Sequence, residues 1–166
     1  MIIAYESNTG YTRQYAELLG EELGFPVFPV GKIPAYHRGE DAIFLGWLMG
    51  GFVTGLARAR LQCNVRCVAA TGMSPESAEI EEALHKKNGL APGVPLFYLQ
   101  AGYDFRKLKG VYKAIMSLKN KSILENYAGM TQEEKETHPT YRMVARGDSV
   151  VSKEHLERVI AWAKSR

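Results

Sequence analysis

Three hydroxyls, an amide and a glycine fall within six residues at Ser7, Asn8, Thr9, Gly10 and Thr12, directly after the apolar run Ile2-Ile3-Ala4-Tyr5. Residues of these types at this spacing suit the capture of a phosphate. A helix that begins here presents backbone N–H groups without intrahelical partners, together with the positive end of its dipole. Ser7, Thr9 and Thr12 add hydroxyl donors and Asn8 adds an amide, while Gly10 lets the backbone approach a ligand with no Cβ in the way. An ordinary strand-to-helix turn needs one capping hydroxyl rather than three.

The stretch Ser7-Asn8-Thr9-Gly10-Tyr11-Thr12 resembles the (Ser/Thr)-x-Thr-Gly-x-Thr loop of the flavodoxin family, which follows the first strand and grips the phosphate of FMN. The resemblance implies FMN as cofactor, held at its phosphate by Ser7, Asn8, Thr9, Gly10, Tyr11 and Thr12. From Leu96-Phe97-Tyr98-Leu99-Gln100-Ala101-Gly102-Tyr103-Asp104-Phe105 onward the chain is similar to a bacterial branch of flavodoxin-domain proteins. That branch also resembles the flavodoxin-type protoporphyrinogen oxidases.

Two further loops belong to the same expectation. Trp47-Leu48-Met49-Gly50-Gly51-Phe52 is strongly apolar for a segment expected to meet solvent. Trp47 offers a face on which a flat isoalloxazine ring can stack, and Gly50-Gly51 can turn a backbone group toward a ring nitrogen. The alternative is that Trp47 and Phe52 are core residues covering the sheet edge. Thr71-Gly72-Met73 is expected to reach the pyrimidine edge of the flavin through backbone groups, and reads equally as a plain strand-to-helix connection. Tyr103 and Asp104 either border the same pocket or, for Asp104, cap a helix.

Positioning these loops requires an alternation of strands and helices. Residues 2–6, 25–30, 42–47, 65–70 and 94–101 are apolar runs of strand length, the second weakened by Pro26 and Pro29 and so suited to an edge. Between them, residues 11–24 place Tyr15, Leu18, Leu19 and Leu23 on one helical face, and 54–62 is also expected to be helical. Ser74-Pro75-Glu76 reads as the start of another helix, with Lys86-Lys87 at its end. A last helix over 152–165 is expected to carry the stripe Leu156, Val159, Ile160 and Ala163, capped by Ser152. The expected fold is α/β: a doubly wound, five-stranded parallel sheet in the order 2-1-3-4-5 within a flavodoxin-like three-layer α/β/α sandwich. That order puts the ligand loops at the carboxyl ends of strands one, three and four, beside the topological switch point.

The chain of 166 residues with 46% hydrophobic content reads as one domain, residues 1–166, with an added helical segment at about 105–145 after strand five. Within the addition, Thr131-Gln132-Glu133-Glu134 has the form of a capping box whose helix must stop before Pro139. Cys63 and Cys67 lack a second pair and read as buried thiols. His37, His85, His138 and His155 form no evident catalytic or metal-ligand pairing, so solvated histidines and an absence of metal are expected. The first turn lacks G-x-G-x-x-G and the chain lacks G-x-x-x-x-G-K-[ST], which removes the dinucleotide and P-loop readings. The opening strand leaves no room for a signal peptide and no run approaches the ~20 apolar residues of a membrane span, so a soluble cytoplasmic protein is expected.

Charge complicates a simple carrier role, because flavodoxins are usually acidic and this chain carries a net charge of +3. Residues 105–121 hold six basic side chains and no acidic one, with Phe105, Leu108, Tyr112, Ile115 and Met116 on an apolar face. The segment reads as an amphipathic helix packed on the sheet with solvated lysines, or as a docking face for an acidic partner or an anionic membrane surface. The leading functional expectation is an FMN-binding electron carrier serving a redox protein partner or a small-molecule electron acceptor, with no role in nucleic-acid binding. The alternatives are an FMN-dependent oxidoreductase acting on a porphyrinogen or quinone-type substrate, and a flavin-free protein-binding module.

Overall fold

In the computed structural model, which describes Met1–Arg166, the apolar runs become the strands of a mostly parallel sheet and the amphipathic stretches cover its faces. The elements in chain order are β1 (Ile2–Glu6), α1 (Tyr11–Leu23), β2 (Val27–Pro29), β3 (Asp41–Met49), β4 (Phe52–Val53), α2 (Leu56–Gln62), β5 (Asn64–Gly72) and α3 (Ala78–Lys87). They continue with β6 (Leu96–Gln100), β7 (Gly102–Tyr103), α4 (Gly110–Glu125), α5 (Gln132–Thr137), α6 (Pro139–Arg146), β8 (Asp148–Ser149) and α7 (Glu157–Lys164).

The main sheet runs β2-β1-β3-β5-β6, all parallel, with β4 added antiparallel to β3. It therefore has six strands rather than the expected five, and its order differs from 2-1-3-4-5 because the hairpin strand β4 intervenes in the chain. A separate two-stranded sheet, β7 with β8, was not foreseen. Strand β2 lies at the edge, where the missing N–H of Pro29 costs little.

The period-two alternation of the strands divides the core into two layers. On one face Ile2, Ala4, Ala42, Phe44, Val68, Ala70 and Leu96 pack against Leu56 and Ala59 of α2 and Leu84 of α3. On the other, Ile3, Ile43, Leu45, Cys67, Ala69 and Leu99 meet Tyr15 and Leu19 of α1 and Val159 and Ala163 of α7. Ile2, Ile3, Phe44 and Leu45 are fully buried, each contributing about 1.5–3 kcal/mol by leaving water. Helices on both faces of a parallel sheet make this an α/β/α arrangement.

Several boundaries move. Helix α3 is capped by Ser77, whose hydroxyl accepts from the Ile80 N–H, rather than by Ser74. The Tyr98 hydroxyl donates to the Ser74 carbonyl at 2.9 Å and holds that bend outside the helix. Helix α7 starts at Glu157 after a 3-10 turn over Glu154–Leu156, so Ser152 lies ahead of it and does not cap it. The Thr131–Glu134 capping box is present, and α5 ends at Thr137 ahead of Pro139. Helix α4 has no buried residue and rests on a third cluster formed by Tyr103, Leu108, Met143 and Val144, not on the sheet as its apolar face led us to expect. No helix is long and apolar enough to cross a membrane.

Candidate functional site

Parallel strands end on one side of the sheet, and three of them here, β1, β3 and β5, bring their carboxyl ends to one cavity of about 380 Å³. Asn8, Thr9, Tyr11 and Thr12 line it from the loop after β1 and the start of α1, Trp47, Leu48 and Met49 from the end of β3, and Thr71, Gly72 and Met73 from the end of β5. Ser7, Gly10, Gly50 and Gly51 do not line the cavity.

Each exclusion has a local cause. The Ser7 hydroxyl accepts from the Gly10 N–H at 3.1 Å, closing the loop on itself. Gly10 sits at φ 96 as the residue before α1 and offers no side-chain cap, so the N–H groups of Tyr11, Thr12 and Arg13 have no intrahelical partner. The first turn of α1 contains no acidic residue, and Arg13 turns to Glu17 at 2.7 Å. That helix end is electropositive and uncompensated. The Asn8 side-chain oxygen is buried there without a partner, and a half turn of the amide replaces it by N–H donors. Lys107 brings a cation beside the corner, its Nζ 3.4 Å from the Tyr11 hydroxyl and 4.8 Å from the ring centroid.

The apolar loop after strand three turns out to be strand continued into a hairpin. Met49 pairs with Phe52 and Leu48 with Val53, and Gly50 and Gly51 form the two-residue turn with φ 58 and 82. Two adjacent glycines between apolar residues are the sequence signal for such a turn, which requires positive φ at both positions. The turn directs Gly50 and Gly51 away from the cavity while Trp47 to Met49 stay in its wall, and Phe52 is exposed rather than core. Asn88 staples the hairpin to the end of α3, accepting from the Val53 N–H at 2.8 Å and donating to the Gly51 carbonyl at 3.0 Å.

The wall after β5 is held equally firmly. The Met73 carbonyl accepts from the Gln100 amide at 2.9 Å and from the Thr140 hydroxyl at 3.2 Å. A Cβ at Gly72 would run into the Tyr98 hydroxyl, so glycine is required for this close approach. Burial pushes the Tyr98 hydroxyl up to about 12, keeping it protonated as the donor to Ser74. The Thr12 and Thr71 hydroxyls meet at 2.8 Å and join the first loop to the third.

The remaining wall was invisible to the sequence reading, apart from Tyr103. Ser74, Ile80 of α3, Tyr98 of β6, Ala101, Gly102 and Tyr103 of β7, Leu108, and Tyr112 and Met116 of α4 complete the lining. Tyr112 stands edge-on to Trp47, with ring centroids 4.7 Å apart at 88°. The Tyr103 hydroxyl donates to Asn120 at 2.7 Å and ties α4 down. Asp104 caps the 3-10 turn Phe105–Lys107, accepting from the Arg106 N–H and guanidinium at 2.9 Å, and does not reach the cavity.

No carboxylate, imidazole, ammonium or guanidinium lines the cavity, so the lining itself supplies no acid–base pair. The histidines lie elsewhere and are less solvated than expected: His37 bonds Glu40, His85 bonds the Val94 carbonyl, His155 bonds the Tyr15 hydroxyl, and the His138 Nδ1 is buried without a partner. Cys63 and Cys67 are free and buried. No group of three His, Cys, Asp or Glu side chains is placed to hold a metal ion. Comparison with models of known families, with curated proteins and with solved structures finds no match.

Proposed function

We propose that this protein is a flavodoxin-like redox protein that binds FMN in this cavity and carries electrons between partners. The observation that carries the proposal is the union, in one cavity, of an uncapped, uncompensated helix N-terminus and a wall of Trp47, Met49, Met73 and Tyr98. One end suits a phosphate and the other a flat apolar ring. The volume of about 380 Å³ falls within the ~300–1,000 Å³ of small-molecule sites. In a parallel sheet with helices on both faces, the point where β2 and β3 leave β1 on opposite sides is where a ligand would sit, which supports the same reading.

The residues fit this group. The N–H groups at the start of α1, with Asn8 and Thr9, would hold the phosphate, and Lys107 would add a cation nearby. Trp47 would take the ring face and the end of β5 its polar edge. When bound, FMN supplies the electron transfer, and the protein contributes binding, orientation and exclusion of water. The neutral lining favours a carrier over an enzyme that moves substrate protons. A second reading, an FMN-dependent oxidoreductase for a porphyrinogen or quinone-type substrate, draws on the additional apolar wall of Leu108, Tyr112 and Met116.

Titration of the protein with FMN and with riboflavin, followed by flavin and tryptophan fluorescence, tests the proposal. FMN is expected to bind at least about tenfold tighter, since a hydrogen bond to a charged group contributes about 1.5–3 kcal/mol. Equal affinity for the two would refute the phosphate corner, and no flavin binding would leave the flavin-free protein-binding reading. Turnover of a porphyrinogen or quinone by the FMN-loaded protein would select the enzyme over the carrier.

A further inference from the structure

Helix α4 carries two apolar faces, and the fold uses only one of them. The inner face, Tyr112, Met116 and Ile123, packs toward the cluster around Tyr103 and Leu108. The other face consists of Val111, Ala114, Ile115 and Leu118, at the i, i+3, i+4, i+7 spacing of a second helical stripe. Val111 is 64% exposed and Leu118 82% exposed, among the few large apolar side chains so open to solvent. Lys119 and Lys121 lie on the two edges of this stripe and Lys109 just ahead of it, while Lys113 sits on the far side of the helix over the Phe105 ring and Lys107 reaches the Tyr11 ring; all five are exposed. None of the five is in an ion pair, and no acidic residue appears between Phe105 and Lys121.

We propose that the outer face of α4 docks on an anionic lipid surface, with Val111, Ile115 and Leu118 entering the interface and the flanking lysines meeting the headgroups. The charge decides among occupants. A second copy of the chain would oppose Lys109, Lys119 and Lys121 with the same three lysines, a repulsive arrangement. A flat apolar stripe bordered by flexible lysine stems, whose ammonium heads can reach outward from either edge, suits a lipid interface. The stripe is short, running from Val111 to Leu118, so the contact should be reversible and sensitive to salt.

The test is co-sedimentation of the full chain with vesicles of phosphatidylcholine alone and of phosphatidylcholine mixed with phosphatidylglycerol, at low and at physiological salt. Binding to the mixed vesicles only, weakened by salt, is expected. Lys119→Glu with Lys121→Glu should reduce partitioning at least tenfold, each lysine near an anionic surface contributing about fivefold. Val111→Ser with Leu118→Ser should also abolish sedimentation, while Leu61→Ser, a change at an 87% exposed residue of α2, should not. These positions are exposed, so matching thermal melts will verify that the variants fold. Absence of wild-type binding, equal binding to pure phosphatidylcholine, or full binding by the Val111/Leu118 variant would overturn the proposal. Capture by polyglutamate without capture by vesicles would overturn it in favour of an acidic protein partner.

Discussion

The contact between Thr12 and Thr71 makes a sharp prediction because both hydroxyls are only 3% exposed and each is the other's hydrogen-bond partner at 2.8 Å. Thr12→Val keeps the side-chain shape but leaves the Thr71 hydroxyl buried and unpaired. Stranding a buried polar group costs about 1–3 kcal/mol, more than the net value of about 0.5–1.5 kcal/mol of the bond itself. Thr71→Val should cost a similar amount for the reciprocal reason. Replacing both removes the stranded group, so the double variant should lie within about 1 kcal/mol of the wild type. For a chain of this size each kcal/mol moves Tm by roughly 2–4 °C, so single-variant losses of about 2–12 °C should be largely recovered in the double variant. Chemical denaturation of the four proteins closes the cycle and yields the coupling directly. A double variant destabilised by the sum of the two single losses would show that the hydroxyls do not depend on each other. The bridge between the first and third loops would then be refuted.

The hairpin and the segment after β7 each give one further test. Asn88→Ala removes the acceptor of the Val53 N–H and the donor to the Gly51 carbonyl, and should destabilise the protein by about 2 kcal/mol in urea unfolding followed by tryptophan fluorescence. An unchanged midpoint would remove the staple. Arg106 holds the Asp104 carboxyl below its ordinary value of 3.8, so Asp104 stabilises the fold fully above that value and loses its contribution as pH falls through its lower folded value. Asp104→Asn should therefore be less stable than wild type at neutral pH, with the gap closing in acid; a gap constant down to about pH 3 would contradict the assignment.

What could be read from the residues, and what could not, follows from the range of the interactions. Alternation within Ile2-Ile3-Ala4 and Ala42-Ile43-Phe44-Leu45 fixes both sheet faces locally, and strand ends then bring Thr9, Trp47 and Thr71 into one cavity without long-range information. Ser74 and Ser77 offer the same capping chemistry three residues apart, and the choice is made by Tyr98, a partner 24 residues from Ser74. Asn88 reaches the hairpin across 35 residues, a contact with no local signature. The stripe of Tyr112 and Met116 was legible as apolar, but periodicity states that a face is buried without stating against what. It proved to be the wall of the cavity rather than a cover for the sheet.

Helix α4 connects the two proposals because its two apolar faces diverge, by roughly 130° around the helix axis. Tyr112 and Met116 line the cavity from within, while Val111 and Leu118, on the same turns, face solvent. A helix with its side chains is about 10–12 Å across, so a lipid surface docked on the outer face would lie roughly one helix diameter from the cavity. At that separation a quinone-type acceptor dissolved in lipid would meet the apolar wall of Leu108, Tyr112 and Met116 with little bulk water between. The basic charge that argues against an ordinary soluble carrier then has a place in the chemistry. It lies on α4 and the turn before it, outside the cavity lining, where it can hold the protein to an anionic surface while the lining stays neutral.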